Sequence, residues 1–365
     1  MAETEKNNSV ADLKSVISHA QKGVKFKITT LSDDTESQVS DHISTGFPNV
    51  DRIYGGGLPV GRCSELFGPE GTGKSALCDM LASTCTRRGG FVVLIEPENA
   101  KEKSKLMQAR VESDLMVYRA PRYVEEGWDL VWKLVEGMKA LDRKRSTKAP
   151  PGPPRLFIWD SVAMGESKEE QEKGPQANVV AGVARVMSRN IRRTPNEMKR
   201  INGHFLFVNQ VRPDFGGRSF VPSFHTVGAS ALKFACTLRV QTSAWAIPIK
   251  VRPKTGLLIT VETKKNKVFP PFQRTSWVLD FQRGPSVELT AWELLLRKGV
   301  FKPSKQVPGK FHCNWNKPFT AEQYFQLMVD SPDFCEKTLE ALGKVGEIKY
   351  TELAAADADE YPDER

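Results

Sequence analysis

Residues 68–75 read Gly68-Pro69-Glu70-Gly71-Thr72-Gly73-Lys74-Ser75. The spacing of the glycines, the lysine and the hydroxyl residue is that of a phosphate-binding loop. Glycines let consecutive backbone N–H groups turn towards a phosphate without clashes of Cβ atoms. Residues 62–67 predict a buried strand before the loop, and the segment from about Ser75 to Thr86 predicts a helix after it. This strand–loop–helix order favours a nucleotide site over a glycine-rich turn that binds nothing.

The side chains of the loop have separate chemical tasks. Lys74 is placed to reach the outer phosphates as a point charge, and the Ser75 hydroxyl is placed to bind Mg²⁺. The helix that follows directs its positive N-terminal end at the same anion. We therefore predict that a nucleoside triphosphate and Mg²⁺ bind to Gly68, Pro69, Glu70, Gly71, Thr72, Gly73, Lys74, Ser75 and Ala76.

The composition indicates a soluble globular protein. The chain has 365 residues, of which 39% are hydrophobic and 27% charged. A chain of this length can form one large or two modest domains and bury a substantial core. No apolar run approaches the roughly 20 residues of a membrane span, and the polar N-terminus lacks a signal-peptide core. The six cysteines form no CxxC pair. We therefore expect a cytoplasmic protein with reduced thiols and no membrane partner.

The net charge of +9 is unevenly distributed along the chain. Basic residues concentrate between Arg185 and Arg200 and again at Lys264–Lys267, whereas the last nine residues are acidic. This pattern suggests a polyanionic partner and a tail that competes for it. Charge alone leaves a solvated surface as an equal alternative.

Short apolar runs alternate with helical segments through the middle of the chain. Phe91–Ile95, Arg155–Trp159 and His204–Val208 are apolar on both faces, and Leu257–Val261 predicts a later strand. The pattern predicts an α/β fold with a mostly parallel sheet covered by helices. We predict an N-terminal helix and linker (1–41), a nucleotide-binding core (42–284), a small C-terminal α/β domain (285–356) and an acidic tail (357–365).

Three polar positions follow predicted strands of this core. Asp160 ends one strand, where a carboxylate beside a phosphate loop can hold Mg²⁺. Glu96 and Glu98 follow another strand, and one of them is placed to polarise the water that attacks a phosphate. Their spacing does not decide between the two. Gln210 ends a third strand, where an amide can contact a γ-phosphate and report it to the next loop.

The loop over 211–226 combines arginine, glycine and phenylalanine, among them Arg212, Phe215, Gly216, Gly217 and Arg218. Cations neutralise phosphates and aromatic rings stack on bases, so this composition suits single-stranded nucleic acid. A surface loop whose phenylalanines fold into the core is equally consistent with the sequence.

The order of these features resembles that of the RecA-type homologous-recombination ATPases, as in a divergent member such as a phage could encode. The resemblance covers residues 42–283. It is carried by Ile43–Phe47, Gly56–Arg62, Gly68–Ser75, Ile95–Ala100, Trp159–Ser161, Asn209–Arg212, Ala231–Phe234, Lys265–Lys267 and Pro271-Phe272.

The resemblance implies a RecA-like core and an ATP-dependent activity on DNA. Glu98 matches the catalytic base, which resolves the choice left open above, and it would act with Lys74 and Gln210. The segments 166–177 and 211–226 would be the two DNA-binding loops. The DNA-binding positions would be Arg185, Ser188, Arg189, Arg192, Arg212, Phe215, Gly216, Gly217, Arg218, Gly228 and Ala229.

The resemblance also implies partners. Lys265 and Lys267 match lysines that cross a subunit boundary to the neighbour's γ-phosphate, so ATP would be bound between copies in a helical filament. The apolar stripe of the N-terminal helix (Val10, Leu13, Val16 and Ile17) would dock on the adjacent subunit. Single-stranded and double-stranded DNA, and a recombination mediator or single-strand-binding protein, are the further partners expected.

Two alternatives use the same core. A hexameric helicase usually carries an additional domain before the core, for which about forty residues leave no room. A non-catalytic accessory paralogue is disfavoured by Glu98 and Gln210. One departure from the family concerns Lys105, which stands near the position of an aromatic residue that stacks on adenine, so base selectivity stays open.

Overall fold

The computed structural model describes residues 2–24, 28–30, 38–145, 152–173, 182–214, 223–226, 231–245 and 256–345. The chain forms two compact units, Met1–Val39 and Ser40–Arg365. None of the helices in the described ranges has the length and apolar character that a membrane span requires.

The first unit contains helix α1 (Ala2–Gln21), where the sequence predicts a helix. The side chains of Val10, Leu13 and Val16 are exposed on this helix. After the helix, the amide N–H of Ile28 donates to the side-chain Oε1 of Gln21 at 2.7 Å. Docking of the apolar stripe on an adjacent subunit stays a prediction.

The second unit begins as an alternation of strands and helices. Its strands are β1 (His42–Ile43), β2 (Leu58–Pro59), β3 (Arg62–Gly68), β4 (Phe91–Ile95), β5 (Met116–Arg119), β6 (Arg155–Trp159), β7 (Gly203–Asp214), β8 (Ser223–Thr226), β9 (Leu238–Trp245), β10 (Gly256–Asn266), β11 (Arg274–Asp280), β12 (Gly284–Ser286), β13 (Lys302–Pro303), β14 (Phe311–Cys313) and β15 (Asn316–Phe319). Its helices are α2 (Pro48–Tyr54), α3 (Lys74–Arg87), α4 (Lys103–Gln108), α5 (Val124–Lys144), α6 (Lys168–Lys173), α7 (Gly182–Arg200), α8 (Ala231–Ala235), α9 (Val287–Arg297), α10 (Ala321–Asp330) and α11 (Pro332–Lys344).

The large sheet has the strand order β12-β11-β10-β9-β3-β7-β6-β4-β5. The pairs from β9 through β5 are parallel, whereas β9–β10, β10–β11 and β11–β12 are antiparallel. The predicted mostly parallel sheet is confirmed, and the helix predicted after the phosphate loop is present as α3. The run Leu257–Val261 is a strand as predicted, but it belongs to the antiparallel part of the sheet.

Apolar side chains cover both faces of this sheet. On one face, Leu77 and Leu81 of α3 pack in a buried cluster with residues of β3, β4, β6 and β10. On the other face, Val131 of α5 and Ile191 of α7 pack with Phe205 and Phe207 of β7. Burial on both faces explains why the central strands are nearly continuous apolar runs.

Residues 287–345 have a hydrophobic cluster of their own around Trp292, Phe301 and Tyr324. These residues contribute α9, the small antiparallel sheet β13–β15, α10 and α11. Helix α11 also contacts the core, where the guanidinium of Arg52 donates to the carbonyl oxygen of Gly343 at 3.1 Å. The predicted boundary of a C-terminal domain at residue 285 stays a prediction.

Candidate nucleotide and DNA site

The phosphate loop joins the end of β3 to the start of α3, at the carboxyl edge of the parallel strands. Gly68 approaches β9 so closely that a Cβ atom there would lie 2.4 Å from the carbonyl oxygen of Thr242. Gly73 has a φ of 70°, in the left-handed region that glycine adopts without strain. The glycines therefore serve the backbone path of the loop and its close packing on a neighbouring strand.

The contact between β3 and β9 gives a test of fold stability. Gly68→Ala is expected to lower the free energy of unfolding by about 1–3 kcal/mol, because the new methyl group forces two paired strands apart. Gly137→Ala, in an exposed part of α5 with open space around it, should raise it by about 0.5–1 kcal/mol through better helix propensity. Thermal unfolding of both variants measures these changes. Equal melting temperatures would show that the strand contact is softer than the geometry indicates.

The Lys74 side chain lies along the phosphate loop. Its ammonium donates to the carbonyl oxygens of Gly68 at 3.0 Å and Pro69 at 2.6 Å. Burial lowers the pKa of Lys74, because desolvation disfavours the charged form, and the Asp160 carboxylate opposes this shift. A desolvated ammonium held beside the phosphate loop is suited to bind phosphate oxygens.

Ser75 and Asp160 lie together beside this loop. The Ser75 hydroxyl donates to Oδ2 of Asp160 at 2.7 Å. Burial raises the pKa of Asp160, and the hydrogen bond from Ser75 opposes the shift. A hydroxyl and a carboxylate with nucleotide phosphates and water make the oxygen ligand set that Mg²⁺ prefers. These two residues therefore fit the predicted Mg²⁺ role.

Glu96 and Glu98 have different surroundings after β4. Glu96 is buried, and its carboxylate accepts hydrogen bonds from the amide N–H of Ala100 at 3.1 Å and from the Tyr118 hydroxyl at 2.8 Å. Glu98 accepts a hydrogen bond from the Ser161 hydroxyl at 2.9 Å, next to Asp160. Glu96 thus holds the turn, while Glu98 lies beside the predicted metal residue. The role of Glu98 as the catalytic carboxylate stays a prediction, with which its position beside Asp160 is compatible.

Gln210 lies beside the phosphate loop on the neighbouring strand, because its backbone is the register partner of Gly68. Strand β7 continues past it to Asp214 and pairs with β8. The first and last four residues of the predicted second DNA-binding loop, 211–214 and 223–226, are therefore paired as antiparallel strands. The composition of this segment did not predict these strands. Phe215, Gly216, Gly217, Arg218, Gly228 and Ala229 lie outside the described residues, as does the side chain of Arg212.

Helix α7 carries the predicted DNA-backbone contacts on one face. Arg185, Arg189 and Arg192 are exposed, and their spacing of four and three residues places them on one side of the helix. The Arg185 guanidinium pairs with Glu169 of α6 at 2.7 Å. A cavity of about 620 Å³ lies between α7 and α8 and is lined by Ser188, Arg192 and Phe234, among others. The first predicted DNA-binding loop is described only over 166–173, of which Lys168–Lys173 forms α6.

Lys265 and Lys267 lie where β10 runs towards the amino edge of the parallel strands, away from the phosphate loop at their carboxyl edge. Strand β10 runs antiparallel to β9, and Lys265 is the register partner of Arg239, which pairs in turn with Glu65 in the middle of β3. The amide N–H of Lys267 donates to the carbonyl oxygen of Thr237, and the amide N–H of Thr237 donates to that of Cys63, near the start of β3. The Lys265 ammonium donates to the carbonyl oxygen of Lys233 at 2.6 Å. Burial and the charge of Lys267 lower the pKa of Lys265. The two lysines therefore lie away from the phosphate loop of their own subunit, towards the other end of the parallel strands.

Lys101 is a further residue of the candidate nucleotide site, and the sequence did not predict it. Its ammonium forms an ion pair with Asp79 of α3, and both side chains are about nine-tenths buried. Lys101 also lines a cavity of about 420 Å³ together with Ser75, Glu98 and Asp160. Lys105, which the sequence predicts near the adenine base of the nucleotide, lines the same cavity. The partner of Lys101 is distant in sequence, so only the basic character of the segment after Glu98 could have indicated the pair.

A family model, the RecA N-terminal domain, matches residues 12–286. Protein RecA of Sulfurimonas denitrificans is 30% identical over 257 residues, which cover 70% of this chain and 70% of the relative. Protein RecA of Oleidesulfovibrio alaskensis is 28% identical over 278 residues, covering 76% and 75%. Protein RecA of Legionella pneumophila is 31% identical over 265 residues, covering 72% of each chain. The family model covers more than half of the chain, and the phosphate loop, Glu98, Asp160 and Gln210 lie together at one edge of the sheet. The chain belongs to the RecA family.

Proposed function

We propose that this protein is a DNA-dependent ATPase that assembles as a helical filament on single-stranded DNA. The filament pairs that strand with homologous double-stranded DNA and exchanges strands in recombination and repair. Membership of the RecA family supports this activity. The strongest structural support is the pairing of Gly68 with Gln210 in neighbouring strands. This pairing places the phosphate loop next to strand β7, which continues into the second predicted DNA-binding loop.

ATP is bound in this proposal at the boundary between two subunits. One subunit contributes Lys74, Ser75 and Asp160, and the next contributes Lys265 and Lys267. The opposite positions of these two groups on one sheet support this division, because a head-to-tail contact brings unlike edges of two copies together. Bound ATP then strengthens the contact between subunits, and its hydrolysis weakens it.

Glu98 accepts a proton from the water that attacks the γ-phosphate, and the Ser161 hydroxyl holds the carboxylate in place. Mg²⁺ bound at Ser75 and Asp160 would neutralise charge that develops on the phosphate oxygens. Gln210 contacts the γ-phosphate and transmits its presence along β7 to the second predicted DNA-binding loop. Nucleotide and DNA should therefore bind with positive coupling.

The DNA lies against α7 and the two loops in this proposal. Arg185, Arg189 and Arg192 neutralise backbone phosphates, so the affinity should fall steeply as salt concentration rises. A recombination mediator or a single-strand-binding protein would act on the same strand. The expected location is the cytoplasm of a bacterial cell or of a phage-infected host, where such DNA is found.

Two measurements on the purified protein test this function. Single-stranded DNA is expected to stimulate ATP hydrolysis, and electron microscopy with ATP, Mg²⁺ and that DNA should show helical filaments. Closed rings would favour the hexameric helicase, and an absence of DNA-stimulated hydrolysis would favour an accessory paralogue. Particles that stay single under these conditions would refute the shared ATP site.

A further inference from the structure

A buried carboxylate lies in the central strand of the sheet. Glu65 of β3 has no exposed surface, and its two oxygens are bound by side chains from two different strands. Oε1 accepts a hydrogen bond from the Asn209 amide of β7 at 2.9 Å, and Oε2 accepts one from the Arg239 guanidinium of β9 at 2.5 Å. Because β3 lies between β7 and β9, this one carboxylate connects both of its neighbours.

A buried ion pair at this position is weak evidence for stability. Removing two charges from water is costly, and apolar residues of similar size often stabilise a protein as well or better. The register partner of Glu65 on β7 is Phe207, which belongs to the buried apolar cluster on that face. A carboxylate in such a place is better explained by what its two partners do.

On the β7 side, Glu65 fixes a side chain next to Gln210. The Asn209 amide group donates to Glu65, which leaves its oxygen to accept the backbone N–H of Gln210 at 2.9 Å. The orientation of the Asn209 amide is therefore set by the carboxylate, and this amide in turn binds the backbone of Gln210. Rotation of Asn209 would free the Gln210 N–H beside the phosphate loop.

On the β9 side, Glu65 fixes Arg239. The Arg239 guanidinium also lies over the ring of Phe67, 4.8 Å from its centre. Arg239 is paired in register with Lys265 of β10, and its charge contributes to the lowered pKa of Lys265. Arg239 is thus held by β3 and lies beside β10, which contains Lys265 and is followed by Lys267.

We propose that Glu65 is a positioning residue that links Gln210, at its own subunit's nucleotide, to the strand that carries Lys265 towards the neighbouring nucleotide. This inference rests on the proposed function. Without the carboxylate, Asn209 and Arg239 lose their shared partner, and the two ends of the sheet respond to ATP independently. Glu65 does not touch nucleotide, DNA or Mg²⁺ in this account.

The substitution Glu65→Gln tests the link, because it keeps the shape of the side chain and removes its charge. Hydrolysis without DNA is expected to stay within about twofold of the wild type, whereas stimulation by single-stranded DNA should fall by about 5–150-fold, the usual size of coupling between sites. The dependence of hydrolysis on ATP concentration should also lose its cooperativity. The readouts are kcat with and without DNA and the Hill coefficient for ATP.

The matched control is Glu293→Gln, which changes another buried glutamate that is paired with an arginine, Arg297, at 3.4 Å in the C-terminal part. This variant should lose stability without losing DNA stimulation. If Glu65→Gln does not fold, Arg239→Lys keeps the charge, loses the geometry and should show the same loss of stimulation. Normal stimulation in a folded Glu65→Gln protein, or equal losses with and without DNA, would overturn the inference. A wild-type protein without DNA stimulation would instead contradict the proposed function.

Discussion

Lys74→Ala is expected to reduce ATP turnover by roughly 10³-fold, the effect of removing one donor that stabilises transition-state charge, and to abolish ATP-dependent strand exchange. The ammonium is desolvated and lies over the phosphate loop, within hydrogen-bond distance of Gly68 and Pro69. Alanine leaves the charge on the outer phosphates without this partner. Phosphate release and exchange between a circular single strand and a homologous duplex measure the two losses.

Lys133→Ala is the control for this variant, because Lys133 is an exposed lysine on α5, on the other face of the sheet from α3. It should leave both activities unchanged. Retained strand exchange with normal ATP turnover in Lys74→Ala would refute the assignment of the phosphate loop.

Mixing two inactive variants extends the same test to the subunit boundary. Lys74→Ala damages one half of the proposed ATP site, and the double variant Lys265→Ala/Lys267→Ala damages the other half. In a random one-to-one mixture about a quarter of the head-to-tail contacts join two intact halves. Hydrolysis should therefore return in the mixture and in neither variant alone. An inactive mixture would show that the two halves do not come from different subunits, and full activity of Lys265→Ala/Lys267→Ala alone would place the lysines outside the ATP site.

Glu98→Gln is expected to lower hydrolysis by about 10²–10⁴-fold, the usual contribution of a general base, while ATP binding is retained. The amide can still accept the hydrogen bond of Ser161, but it cannot accept a proton from water. In the proposed function hydrolysis weakens the contacts between subunits, so filaments of this variant should persist on DNA. Single-turnover hydrolysis and the rate of filament loss after ATP removal measure the two effects.

Glu96→Gln is the matched comparison for Glu98→Gln. Its carboxylate is already bound by Ala100 and Tyr118, so the substitution should reduce stability more than it reduces the chemical step. A larger fall in hydrolysis for Glu96→Gln than for Glu98→Gln would exchange the roles of the two residues.

Much of the nucleotide half of the site could be predicted from the sequence. The phosphate loop is local, so its residues are adjacent in the chain, and the runs ending at Ile95 and Trp159 coincide with strands β4 and β6. Parallel strands bring their carboxyl ends to one edge, which is why Asp160 and Glu98 lie near Ser75. The choice between Glu96 and Glu98 needed the family resemblance, because their spacing from the strand differs by only two residues.

Other features depend on contacts between distant parts of the chain. The apolar run in β10 carries no sign of its direction, so the sequence did not reveal that it runs against β9. The ion pair of Lys101 with Asp79 and the Glu65 contacts join side chains from separate elements. Residue patterns along one segment cannot show such pairs, because each partner alone has the appearance of an ordinary charged residue.

The reversal of β10 has a consequence for assembly. Since the lysines and the phosphate loop occupy opposite edges of each subunit, a row of copies has two chemically different termini. In the proposed filament the last ATP site at one end has no neighbour to supply Lys265 and Lys267, so its ATP should be hydrolysed slowly, whereas every interior ATP site has both halves. We expect such a row to gain and lose subunits at unequal rates at its two termini, which would give the assembly a direction of growth.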